Sequence, residues 1–233
     1  MKNWNLTLVF AIFIFSTTIN AAIVSVTIPG TSDMWLAGMP DGSTASAGDS
    51  APAHSPVLVS GIDLSTGLLN FENITGGVSN TTSCPPSCSI PDGSSFFNHS
   101  PGALNGISDV RAPVNALMGV FLDDSQPDSS AAPGTLNFQT LGIDFTSISP
   151  ELKQVFFIGD GLTGTGDGEL QEFLIPTSAT RLYLGTMDGF GWFNNSGAYN
   201  VDVRTVPVPA AIWLFVSGLI GLAGFKKIKT NHQ

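Results

Sequence analysis

Positive charge is scarce in this chain: eight Lys and Arg stand against eighteen Asp and Glu in 233 residues. Four of the eight sit near the ends, at Lys2, Lys226, Lys227 and Lys229, leaving only Arg111, Lys153, Arg181 and Arg204 between residues 22 and 205. All eighteen acids lie in that stretch, so its formal charge is four against eighteen, or −14. Such a surface repels phosphate backbones and attracts divalent cations, which excludes nucleic-acid binding. With only three His and two Cys, a zinc cluster or a Cys/His nucleophile has too few members. Gly-x-Ser-x-Gly and His-Glu-x-x-His are both missing. The one adjacent acid pair, Asp123-Asp124, points to opposite faces if it lies on a strand, whereas glycoside hydrolysis needs two carboxyls facing across a cleft. We therefore expect no enzyme.

Long apolar runs are confined to the two ends. Lys2 precedes an apolar run from Leu6 to Phe15 and a small-residue exit near Ala21, the pattern of a secretory signal peptide over 1–21. At the other end, Ala210 to Phe225 is uncharged and is followed by three lysines. At ~1.5 Å per residue it spans roughly 24 Å, slightly short for a bilayer core without flanking help. The lysines mark its cytoplasmic side. The expectation is an exported body at 22–205, followed by a segment at 206–233 with a transmembrane helix at 210–225.

Between the ends, turn residues are abundant and helix signals are few. The chain holds 26 Gly and 15 Pro, and short β-branched or aromatic runs alternate with turns. Strands are expected at 23–28, 57–64, 68–74, 116–122, 154–158, 173–175, 181–184 and 199–203. In the last, Tyr199, Val201 and Val203 face one way and Asn200, Asp202 and Arg204 the other. This pattern predicts an all-β fold, an antiparallel β-sandwich. One short helix is expected from Ser149-Pro150-Glu151-Leu152, with an N-cap and Pro at the first position. Residues 39–56 and 75–101 are long polar loops, either disordered or functional. Residues 159–169, rich in Gly, read as a hairpin turn. In an exported chain Cys84 and Cys88 form a local disulfide.

The segment Met187 to Val203, MDGFGWFNNSGAYNVDV, gathers oxygen donors in one turn. Asp188 offers a carboxylate, Asn194 and Asn195 offer amide oxygens, and the glycines let backbone carbonyls turn inward. Hard cations such as Ca²⁺ favour these ligands, although Asn and Gly are also ordinary turn formers. Phe190 and Trp192 either stack on a pyranose or tuck under the loop as core.

Two resemblances add to this reading. Val206-Pro207-Val208-Pro209, with the apolar segment and basic tail that follow, resembles the PEP-CTERM sorting signal, with Val208 in place of the name-giving glutamate. The resemblance implies handling by an exosortase-type transpeptidase. The protein would be held transiently in the inner membrane by its C-terminal helix, then delivered to the cell envelope, outer surface or extracellular matrix. Arg181 to Val203 resembles the closing segment of PA-IL-type galactophilic lectins, with supporting likeness at 112–119 and at Pro91-Asp92-Gly93 before His99. That resemblance implies a jelly-roll, galactose-binding-like sandwich. It implies Ca²⁺ held by Asp188, Asn194 and Asn195, a backbone carbonyl from Trp192 or Gly191, and another from near Asn80 or Thr81. His99, with Phe190, would contact the sugar. The position three beyond His99 carries an amide in that family and is Gly102 here. The implied partner is an exopolysaccharide or galactose-like glycan. The alternative is a structural surface or biofilm-matrix protein that uses the sandwich, with or without Ca²⁺, for stability alone.

Overall fold

A computed structural model describes residues 21–46 and 48–206. The segment expected as a signal peptide, apart from its last residue Ala21, lies outside the described residues, as do Pro207, Pro209 and the apolar C-terminal segment. The described chain is almost entirely β. Its strands are β1 (Ile23–Pro29), β2 (Val57–Leu58), β3 (Leu68–Ser79), β4 (Phe96–Asn98), β5 (Val110–Pro113), β6 (Leu117–Leu122) and β7 (Leu136–Asn137). There follow β8 (Ser147–Ile148), β9 (Val155–Phe157), β10 (Leu162–Gly164), β11 (Asp167–Leu170), β12 (Glu172–Leu174), β13 (Arg181–Thr186) and β14 (Ser196–Thr205).

Four sheets result: β1-β14-β3-β12-β8, β2-β13-β6-β9, β4-β5-β7 and the hairpin β10-β11. All pairings are antiparallel except β12 with β8 and β5 with β7. The largest sheet is organised around β14, which is bonded along one side to β1 and along the other to β3. Its alternation follows the sequence pattern: Tyr199, Val201 and Val203 are buried, while the residues between them face outward. β6 is buried at every position, because both of its faces are covered, and its run of apolar residues reflects this. Ile28, Phe71 and Val203 from the first sheet join Val120, Leu182 and Phe156 from the second in one continuous core.

The expected disulfide is present, linking Cys84 to Cys88. It lies on β3 and β14 where neither strand has a side chain. A Cβ at Gly77 would come 2.6 Å from Cys88 Cβ, and one at Gly197 would come 2.6 Å from Cys84 Sγ and 2.2 Å from the Gly77 carbonyl oxygen. Gly197 also has φ +84°, a conformation that disfavours any side chain.

Two local expectations need correction. No helix follows Ser149. Lys153 takes φ +65°, its N–H donates to Phe121 and its carbonyl accepts from Ser108. The pull of 155–157 onto β6 thus ends any helical turn before it forms. The only α-helical turn among the described residues is α1 (Phe138–Leu141), capped by Asn137 Oδ1 at 3.1 Å from the Gln139 N–H. The strand expected at 57–64 is ordered as sheet only at Val57–Leu58, because Asp63 caps a 3₁₀ turn at Leu64–Thr66.

Candidate functional site

The loop joining β13 to β14 is anchored by Trp192, which is fully buried. Its Nε1 donates to the Thr186 carbonyl at 2.9 Å, and its ring is tilted against Trp35 and His99. Trp192 is therefore core. Phe190 and Phe193 stay on the surface, each more than half exposed.

With the ring fixed, the N–H groups of 191–193 need acceptors. They find them in Ser46 and Asp49 of the 39–56 loop. Asp49 accepts from Trp192 N at 2.8 Å and from Phe193 N at 2.7 Å. Ser46 Oγ donates to Asp49 at 2.5 Å and accepts from Gly191 N at 2.9 Å. Asp49 is 1% exposed, and no local pattern in the sequence marks it as a partner for residues 143 positions away.

The oxygen donors expected around a cation are only partly together. Asp188 and Asn195 are both buried, and Asn194 is turned to solvent. One oxygen of Asp188 accepts from Gly189 N at 2.6 Å. The Asn195 side chain donates to Asp188 and, at 3.1 Å, to the Gly30 carbonyl. The Trp192 carbonyl is occupied by Asn195 N, and the Thr81 carbonyl by Ser196 Oγ. The Asn195 NH₂ group thus joins, by hydrogen bonds, two oxygens that a cation would join by charge. The Asn195 Oδ1 is itself buried without a hydrogen-bond partner. Among the described residues no group of three His, Cys, Asp or Glu side chains is placed to hold a metal.

Burial leaves marks on the acids beneath the loop. Asp188 is pushed above the ordinary carboxylate range by desolvation, offset by hydrogen bonds from Gly189 and Asn195 and reinforced by the charge of Asp49. Asp33, fully buried, is raised further, to about 8, by desolvation, against the lowering effect of its Trp35 N–H bond; the charges of Asp49 and Asp188 add to the rise. One of its oxygens accepts from Trp35 N at 2.9 Å and the other has no partner.

The tip loop meets a second element at Gly189. The Phe97 ring lies directly over it, and a Cβ there would fall 1.6 Å from that ring. Ser100 N donates to the Gly189 carbonyl at 2.7 Å. Beside this junction opens a cleft of about 660 Å³ bordered by Phe96, Phe97, Asn98, His99, Asp109 and Arg111. It is a shallow depression, widely open to solvent, whose volume falls in the range of small-molecule sites. Phe96 and Phe97 are 40% and 48% exposed. Across the three-stranded sheet, Asn98 stands opposite Arg111 and Arg111 beside Asn137, so one face carries an amide, a guanidinium and an amide in a row. The doubled Phe in an otherwise polar stretch was the visible signal for this cleft. The pairing of β4 with β5 that completes it was not.

His99 borders the cleft as floor. Its side chain has no exposed surface, and its ring stacks on Trp35 with centroids 3.3 Å apart. Nδ1 lies 2.7 Å from the Gly102 carbonyl, and desolvation holds the ring down to about 4, outweighing that bond. It is neutral at pH 7 and presents no edge to a sugar in this arrangement. Asp109 is held up by desolvation and keeps one buried oxygen without a partner. Pro91-Asp92-Gly93 faces elsewhere: Asp92 accepts from Asp160 N at 2.8 Å. Asp160 in turn holds the turn of the β10-β11 hairpin through Leu162 N and Gly166 N.

Val206 donates its N–H to the Leu68 carbonyl, extending the pairing of β14 with β3 by one residue. No family description, no curated protein and no solved structure matches the chain.

Proposed function

We propose that this is an exported, non-enzymatic glycan-binding protein that recognises its ligand in the cleft bordered by residues 96–102, Asp109 and Arg111. In this reading the body is a jelly-roll-type sandwich. The C-terminal segment directs it, through an exosortase-type transpeptidase, to the envelope or extracellular polysaccharide. The observation that carries the reading is the pairing of two exposed phenylalanines with polar groups in one ligand-sized cleft. Aromatic faces pack against the C–H faces of a pyranose, while amides and charged groups orient its hydroxyls. Calcium held by Asp188, Asn194 and Asn195 would use the unpartnered Asn195 Oδ1 and require Asn194, which is exposed, to swing inward. Recognition in the cleft does not depend on that change.

The test is a glycan array followed by titration calorimetry on the full chain, with and without EDTA. Phe96→Ala is expected to weaken binding about 10-fold, as loss of a stacking ring does. A drop in affinity on chelation would restore calcium to the site. An array that stays blank at high loading would end the glycan reading and favour a structural matrix protein.

A further inference from the structure

The described residues hold four cationic side chains apart from histidine, and three of them are occupied. Arg204 pairs with Glu72 at 3.3 Å. Lys153 Nζ is ringed by the Pro127, Ser130 and Ala131 carbonyls and by Ser130 Oγ. Arg181 donates to the carbonyls of Asp123 and Ser125. Arg111 is the exception. Its Nε is buried without a partner, and among the described residues the guanidinium makes no hydrogen bond or ion pair. It borders the cleft, and its backbone is fixed on both sides by β4 and β7.

A guanidinium presents five donors in a planar fork that matches a carboxylate. Of these the Nε–H is buried and unpaired, which is costly unless a ligand completes it, while the outer N–H groups face the cleft. The other ionisable groups at the cleft are Asp109, which makes no ion pair with Arg111, and His99, whose Nδ1 lies 3.9 Å from Asp109 and which burial holds neutral, so Arg111 is the one cation there. The cleft therefore offers compensation for one negative charge rather than two. That favours a carboxylate over a phosphate ester. Phe96 supplies a ring face and Asn98 an amide within the same cleft.

We propose that the cleft takes a carboxylate-bearing saccharide, a uronic acid unit, with Arg111 receiving the carboxylate and the ring of Phe96, on the same strand face as Asn98, packing against the sugar. This rests on the glycan reading of the cleft and specifies its ligand class. The global negative field acts against such a ligand, but at 0.15 M salt it is screened within about 8 Å, whereas Arg111 acts at contact.

The experiment is calorimetry on the full chain at physiological ionic strength with galacturonic acid, its methyl ester, galactose and acetate. The acid and the ester share one ring and differ in charge. The acid is expected to bind about 10-fold tighter than the ester, the usual worth of a hydrogen bond to a charged group. Arg111→Gln should erase that difference by weakening the acid alone, with ester binding reporting that the cleft is intact. Arg111→Lys should keep part of it. Equal binding of acid and ester, equal weakening of both by Arg111→Gln, or acetate binding as tightly as the acid would each overturn the uronate assignment. The first two would leave glycan binding standing. If acid, ester and galactose all fail to bind, the glycan reading fails and this inference falls with it.

Discussion

Replacing Asp33 by Asn should change how stability depends on pH, and the expected curve can be drawn from the structure. Asp33 sits at about 8 in the fold against an ordinary 3.8. Between those values the native state keeps a proton that the unfolded chain has released, so stability falls as pH rises. The slope is about 1.4 kcal/mol per pH unit, and the accumulated loss by pH 8 is on the order of 5 kcal/mol. His99 works in the opposite sense. It is held down to about 4 from 6.5, so its contribution is intact above 6.5 and is lost as pH falls toward 4, by about 3 kcal/mol. The two nearly cancel from pH 4 to 6.5, leaving a net decline of about 2 kcal/mol from 6.5 to 8. Asp109, Asp160 and Asp188 are also raised by burial and add to Asp33's side in the lower part of the range.

Asn has the shape of the protonated acid, and its oxygen still accepts from the Trp35 N–H, so Asp33→Asn removes the proton linkage with little else. The variant's stability should gain on the native protein by about 1.4 kcal/mol per unit across pH 5–8. It should level off above 8. Urea unfolding followed by tryptophan fluorescence gives the measurement, since Trp35 and Trp192 are both fully buried. Two curves running parallel from pH 5 to 8 would show that Asp33 is ionised in the fold and refute the reasoning.

Asp49→Ala should lower the urea-derived stability by about 3 kcal/mol or more, because two backbone N–H groups and Ser46 lose a buried charged acceptor. Asp49→Asn, which keeps an acceptor, should cost less. Reduction of Cys84–Cys88 should cost about 2 kcal/mol, the chain-entropy value for so short a loop, read as a shift in urea midpoint with dithiothreitol. Gly189→Ala should destabilise by roughly 1–3 kcal/mol through its collision with the Phe97 ring. Phe97→Ala placed on that background should recover most of the loss, and a double mutant no more stable than Gly189→Ala would rule out the collision.

What could be read from the sequence was local. The alternation at 199–203 announced which face of β14 is buried, and the spacing of Cys84 and Cys88 announced the disulfide. The helix start at Ser149 was sound as a local signal, yet pairing of 155–157 with β6 overrode it. Trp192 could not be assigned to core or surface from its own segment, because Trp35 and His99, which enclose it, are distant in sequence. Asp49 and Arg111 escaped notice for the same reason. An acid in a polar loop and an arginine on a short strand become meaningful only when pairing brings the 191–193 amides to the one and an aromatic cleft to the other.

The position of β14 has a consequence for how the chain is made. The Ala22 N–H is bonded to Thr205 Oγ1, 183 positions further on, so the first strand acquires its neighbour only when the last has been synthesised. At translation speeds of roughly 5–20 residues per second, some 10–35 s separate the two. During that interval β1 and β3 lack the partner that lies between them, and the largest sheet cannot close. The nascent body stays incompletely folded through that interval, and it locks when its final strand arrives.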